Sequence, residues 1–397
     1  MKKFFTLAIL LVGLRVAAQT PDTAMINGTQ SDIFYSLENG EVKAISNKNW
    51  DIAIEAKGFA GSILINGQNG VMLYSSPYAI EDWDNFDSTG FKNWPSHINS
   101  VETWDGGAFN QNLTSDYDLG WGVYDPGTHM VVGDSIYFIQ LSDKSFRRIY
   151  IDELASSTYT FVIANVDGTN KITQTLKKTD YTGRNFAYYS IVNDAFLDRE
   201  PDAVSWDFVF TKYVAPIDAG GQIINYPVYG VKLNKNTENA QRDGLDVTSN
   251  DTSFLDWNTN ITEIGYDWKS WNGTSYDITP DQVFFVRTQA GAVWKLYFTS
   301  YSSSEIHFVK EKVGNIGIAK TNDFQFSMFP NPANDMVTIQ LPINEELLSI
   351  AIIGSNGQTL VEQTENFINT NNLSNGLYFV TILTKNGSAC TPLIIAR

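Results

Sequence analysis

Phe34-Tyr35-Ser36-Leu37, then Trp50-Asp51-Ile52-Ala53-Ile54, recurs as Tyr188-Tyr189-Ser190-Ile191, then Trp206-Asp207-Phe208-Val209-Phe210. In the Trp-Asp element of each pair the large apolar residues fall on alternate positions. This spacing sets Trp50, Ile52 and Ile54 on one face of a β-strand, and Trp206, Phe208 and Phe210 on another. Further on, Asp134 to Phe161 aligns without a gap onto Asp281 to Phe308, so that Asp134, Phe138, Tyr150, Ser156, Ser157 and Phe161 meet identical residues at Asp281, Phe285, Tyr297, Ser303, Ser304 and Phe308. The repeat exceeds the roughly 20 to 50 residues of a solenoid unit. It reads as a duplicated β domain.

Ile136-Tyr137-Phe138-Ile139 and Val283-Phe284-Phe285-Val286 are apolar throughout, as central strands covered on both faces would be. Each leads through a polar turn, Ser142-Asp143-Lys144 or Gln289-Ala290-Gly291, into a further strand, Arg148-Ile149-Tyr150-Ile151 or Lys295-Leu296-Tyr297-Phe298, the pattern of a hairpin. The copies diverge most over 75–118 and 234–263, segments rich in Asn, Asp, Gly, Ser and Trp that read as long loops. Helical periodicity is confined to a short stretch, Glu81 to Phe86. The expected fold is all-β: two tandem domains at 19–170 and 171–316 with their seam near Val166–Lys171, a linker at 317–323, and a small C-terminal β-sandwich at 324–397.

Lys2 and Lys3, an apolar run from Phe4 to Leu14 and the small residues Val16-Ala17-Ala18 have the form of a secretory leader over 1–18, too short to span a bilayer. No other segment has the apolar length of a transmembrane helix. Cys390 is the only cysteine, so cores rather than disulfides must hold the fold. A formal charge of −17 argues against a nucleic-acid partner, because phosphate backbones reward clustered Lys and Arg.

Beyond residue 324 the chain reads Phe329-Pro330-Asn331-Pro332-Ala333-Asn334-Asp335, then Met336-Val337-Thr338-Ile339, Ile350-Ala351-Ile352-Ile353, a turn at Asn356-Gly357-Gln358, and Asn375-Gly376-Leu377-Tyr378-Phe379-Val380. This ordered set closely resembles the type A C-terminal sorting domain of the type IX secretion system of Bacteroidota. The closing Thr391-Pro392-Leu393-Ile394-Ile395-Ala396-Arg397 departs mildly from the Lys-rich end of that family. The resemblance implies export through the periplasm, engagement with the type IX machinery, removal of the tail, and a final place at the cell surface or outside the cell.

The Trp-Asp strands, the hairpin from Val283 to Tyr301 and the closing Glu305-Ile306-His307-Phe308-Val309-Lys310 together resemble the HmuY family of haem-binding proteins, with about one such domain per copy. The resemblance implies haem held between two axial side chains, commonly histidines, against an apolar wall. The histidines are His97, His129 and His307. His307 alternates with Ile306 and Phe308, which turns it away from their core. His97, beside Trp94, Pro95 and Ile98, and His129, before Met130, are then the pair expected to bind haem iron in the first domain. The plainer reading leaves both as water-exposed loop histidines.

Trp83, Trp94, Trp104, Trp121, Trp257, Trp268 and Trp271 gather in and around the variable loops, where they either close cores or stack on sugars or haem. Asp82, Asp84 and Asp87 suggest a calcium turn, but their spacing misses the EF-hand loop, and a solvated acidic turn accounts for them. Nucleophile-elbow, phosphate-loop and His-Glu-x-x-His motifs are absent, so the chain is read as non-enzymatic. The expectation is an exported binding protein that captures haem, or a non-catalytic adhesion or glycan-binding protein on the same scaffold.

Overall fold

The structure is a computed structural model and describes residues 22–27, 29–250, 252, 255–302, 305–315, 326–341, 347–354, 359–384 and 388–397. The expected leader at 1–18, the linker at 317–323, the Ser303-Ser304 pair and the turn at 356–358 lie outside the described residues. The fold is all-β and built from antiparallel sheets. Where a short helix was expected from Glu81 to Phe86, only a 3-10 turn forms at Ile80–Asp82. Asp82 accepts a hydrogen bond from the Ala79 N–H at 3.3 Å and Trp83 turns into a core, which ends the turn at once.

Two four-stranded sheets carry the repeated motifs. One has the order Ala195–Leu197, Phe186–Ser190, Ile52–Glu55, Ile63–Ile65; the other has Gly40–Ser46, Ser31–Ser36, Phe208–Asp218, Ile223–Leu233. Each Trp-Asp strand thus pairs with the aromatic strand of the other repeat. The register matches position for position: Ala53 lies between Tyr188 and Leu64, and Val209 between Phe34 and Lys232.

The aspartate of the motif explains its own presence. Asp51 Oδ2 accepts the Ile191 N–H at 2.7 Å, and Asp207 Oδ2 accepts the Leu37 N–H at 2.7 Å, so each carboxylate closes the end of the neighbouring strand. Asn66 and Asn234 then donate their backbone N–H to the Asp51 and Asp207 carbonyls, each at 2.9 Å. Buried backbone groups at strand ends need such partners, because leaving them unpaired costs about 1–3 kcal/mol each.

The expected seam near Val166–Lys171 falls inside a hairpin, because Thr158–Asn165 and Ile172–Lys177 pair in one sheet. The strand Asp22–Asn27 takes the corresponding place beside Glu305–Asn315. One group of strands therefore occupies residues 52–197 without interruption, and the second is assembled from strands on either side of it in the chain. The first is a circular permutation of the second, inserted between Gly40–Ser46 and Phe208–Asp218.

The core of the first group joins Ile52, Ile54, Tyr137, Ile139, Phe161 and Tyr189. Ile136 and Phe138 face a second apolar cluster with Trp83, so this central strand is covered on both faces as its sequence predicts. In the other group Tyr35 stacks on Phe208 at 5.4 Å, and Phe308 packs against Tyr35 and Phe210. Trp50 and Trp206 depart from the alternation expected of them. Both precede their strands and lie on the outer faces, Trp50 with Ala53 and Tyr188, and Trp206 with Phe34 and Val209.

The described residues up to 235, with 240–285 and 294–312, form one compact unit, and 236–239, 286–293 and 313–397 form another. In the tail, two sheets enclose Val337, Ile339, Ile350, Ile352, Val380 and Ile382. The Pro-Asn-Pro segment is stitched to the last strand: Asn331 donates to the Pro392 carbonyl and accepts from the Ile394 N–H, both at 2.9 Å. Arg397 donates to the carbonyls of Asn334 at 2.9 Å and Leu373 at 3.0 Å.

Candidate functional site

The outer faces of the two four-stranded sheets, those turned away from their cores, meet through Trp104, which packs with Ala53, Leu64, Phe186 and Tyr188 on one side and with Phe34, Trp206 and Val209 on the other. The loop that carries Trp104 is fastened to both. Its indole N–H donates to the Leu233 carbonyl at 2.6 Å, and its own carbonyl accepts from Ser62 Oγ at 2.7 Å. Between the faces lies a cavity of about 270 Å³, lined by rings of Phe34, Trp50, Trp104, Tyr188 and Trp206 and by the polar groups of Asn66, Asn99 and Lys232.

Lys232 is the unusual member of this wall. It is 6 % exposed, its ammonium lies 4.1 Å from the centre of the Trp104 ring, and no hydrogen-bond acceptor or carboxylate pairs with it among the described residues. Burial alone pulls its pKa down to about 7. The indole N–H groups of Trp50 and Trp206 are also buried without hydrogen-bond partners among the described residues.

The acidic groups of the cavity are committed. Glu200 accepts the backbone N–H groups of Asn185 at 3.0 Å and Phe186 at 2.9 Å, and burial pushes its pKa up to about 7. Asp32 accepts from Thr211 Oγ1 at 2.7 Å and forms a close ion pair with Arg199, whose guanidinium lies over Tyr188. Desolvation raises the Asp32 pKa against the lowering effect of Arg199.

His97 also lines this cavity, with its Nε2 2.9 Å from Ser75 Oγ and 3.4 Å from Asn112 Nδ2; desolvation lowers its pKa. His129 does not join it. It sits at the exposed turn before Met130–Gly133, has its Nδ1 2.8 Å from the Tyr124 hydroxyl, and lines a separate, wider groove of about 840 Å³ with Phe59 and Tyr117. The two expected iron ligands thus open onto different depressions. His307 is half-exposed beside Glu305, at 3.4 Å, while Ile306 and Phe308 are buried.

Of the seven loop tryptophans, Trp83, Trp121 and Trp268 are buried in cores, Trp94, Trp104 and Trp257 are half-buried, and Trp271 is exposed. Asp82, Asp84 and Asp87 are exposed, Asp87 accepts from the Thr89 N–H at 2.8 Å, and no cluster of metal-ligating side chains occurs among the described residues. Sequence reasoning missed Lys232. The signal was a lysine between Val231 and Leu233 at the position that Leu64 fills in the other sheet.

No curated protein matches the chain. Among the described residues no helix is long and apolar enough to cross a membrane. Residues 327–396 match the family model of the secretion system C-terminal sorting domain, the address read by the type IX machinery, and the chain is accordingly an exported protein bound for the cell surface or the extracellular space.

Proposed function

We propose that the exported body is a non-catalytic binding protein and that its site is the cavity between the two related sheets. One observation carries this reading: the cavity has aromatic walls, yet the Lys232 ammonium in those walls has no hydrogen-bond acceptor or carboxylate partner among the described residues. Buried polar groups are ordinarily paired, and those left over in a concave apolar site suit a ligand that supplies the missing acceptors.

Haem capture is a narrower form of the proposal. It would use His97 from this cavity and an axial ligand other than His129, whose groove is separate. Adhesion to glycans would sit instead in the wider groove, where Phe59 stands fully exposed and Tyr117 is 55 % exposed.

Titrating the purified exported protein with haemin, with oligosaccharides and with small aromatic compounds separates these forms. Quenching of tryptophan fluorescence that saturates and is lost in Trp104→Ala supports the cavity. A Soret shift lost in His97→Ala and kept in His129→Ala supports haem there. Binding that ignores Trp104→Ala but fails in Tyr117→Ala moves the site to the groove.

A further inference from the structure

Lys232 sharpens the proposed small-ligand site and rests on it. The corresponding position across the pseudo-symmetric pair of sheets is Leu64, which lies opposite Ala53 as Lys232 lies opposite Val209. The scaffold therefore accepts an apolar residue there and does not itself require a cation. An ammonium held in a buried wall without a counter-charge is destabilising. Its contact with the Trp104 ring, at 4.1 Å, offsets only part of that cost.

The charges around the cavity define what it lacks. Asp32 is bound to Arg199 and Thr211, and Glu200 to the Asn185 and Phe186 amides, so a cationic ligand finds no uncommitted carboxylate among them. An anion finds the Lys232 ammonium, which has no carboxylate partner among the described residues, with Lys212 also on the lining. The rings of Phe34, Trp50, Trp104, Tyr188 and Trp206 line the same space. We infer that the cavity takes a small aromatic carboxylate, with its ring among the tryptophan and tyrosine side chains and its anionic oxygens on the Lys232 ammonium.

Calorimetric titration of the whole exported protein with phenylacetate, phenylacetamide and phenethylamine tests this. The three share a ring and differ in charge. The acid is expected to bind at least about tenfold more tightly than the amide, and the amine most weakly, because only the carboxylate brings a charge opposite to that of the ammonium and the amine brings a like one. Lys232→Met keeps the volume and adopts the apolar character of Leu64. It is expected to bring the acid-to-amide ratio to about one.

Equal affinity for acid and amide in the wild type, or an acid preference that survives Lys232→Met, overturns the inference and leaves the small-ligand reading standing. Failure of all three compounds to bind removes that reading as well. Circular dichroism of Lys232→Met verifies that the variant is folded.

Discussion

Asp51 and Asp207 each secure the strand end of a segment more than a hundred residues away, and their burial makes the consequence measurable. Replacing either with alanine strands the Ile191 or the Leu37 amide and is expected to cost about 1–3 kcal/mol in urea unfolding. Charge burial in the cavity carries a pH signature. The Glu200 pKa rises from 4.5 to about 7 on folding, so the native state binds the proton more tightly than the unfolded chain. Its contribution is fully present below pH 4.5 and is lost as pH rises to about 7, a fall on the order of a few kcal/mol that Glu200→Gln should abolish. Lys232 runs the other way. Its pKa falls from 10.5 to about 7, so its contribution is present above pH 10.5 and is lost as pH falls toward 7. Lys232→Met is therefore expected to raise stability at pH 7 by a few kcal/mol and to flatten the wild-type rise between pH 7 and 10.5, read from unfolding midpoints at several pH values.

At the scale of elements, the Ser156-Ser157 pair has a plain cause. Ser156 and Ser157 form the two-residue loop between Phe146–Ala155 and Thr158–Asn165, with φ of 47° and 61°. A two-residue hairpin of this hand needs positive φ at both positions, which non-glycine residues adopt at a cost of about 1–2 kcal/mol each. Ser156→Asn combined with Ser157→Gly supplies the residues preferred there and is expected to stabilise the protein by about 1 kcal/mol, visible as a higher unfolding temperature. Runs such as Ile136–Ile139 were legible because covering a strand on both faces leaves an unbroken apolar stretch. Trp50 and Trp206 were not placed by alternation, because each stands two residues ahead of the regular backbone on which the period of two depends. Lys232 stayed hidden for a related reason. It is the penultimate residue of the long strand Ile223–Leu233, whose counterpart is only Ile63–Ile65, and the unequal lengths obscure the match to Leu64.

At the scale of the whole molecule, duplication was visible in the residues but strand ownership was not. Identical motifs say which segments are related; pairing decides which repeat each one completes. The strands Phe186–Ser190 and Ala195–Leu197 complete the sheet of Ile52–Glu55, while Ser31–Ser36 and Gly40–Ser46 complete that of Phe208–Asp218. A fragment cut at the sequence repeat, 19–170, therefore carries three strands, Asp22–Asn27, Ser31–Ser36 and Gly40–Ser46, without their sheets, and lacks Ile172–Lys177 together with the pair that closes its own core over Ile52, Ile54 and Phe161. The complementary fragment 171–316 has the opposite defect. A fragment spanning 47–201 keeps every strand of the first group, the Asp51 bonds to Ile191, and the amide bonds of Glu200, and gives up the Asp32 partner of Arg199, the Asn234 partner of Asn185, the Lys235 partner of Glu55 and the contacts of the cavity face. It is expected to show dispersed amide resonances and a single cooperative thermal transition, at lower temperature than the intact body because Tyr188, Leu64 and Phe186 become exposed. Fragments 19–170 and 171–316, expressed separately, are expected to be poorly dispersed or aggregated, since each leaves apolar strand edges unpaired. Cooperative unfolding of 19–170 alongside a disordered 47–201 would show that the repeats fold along the sequence boundary, and would overturn the inserted arrangement on which the shared cavity depends.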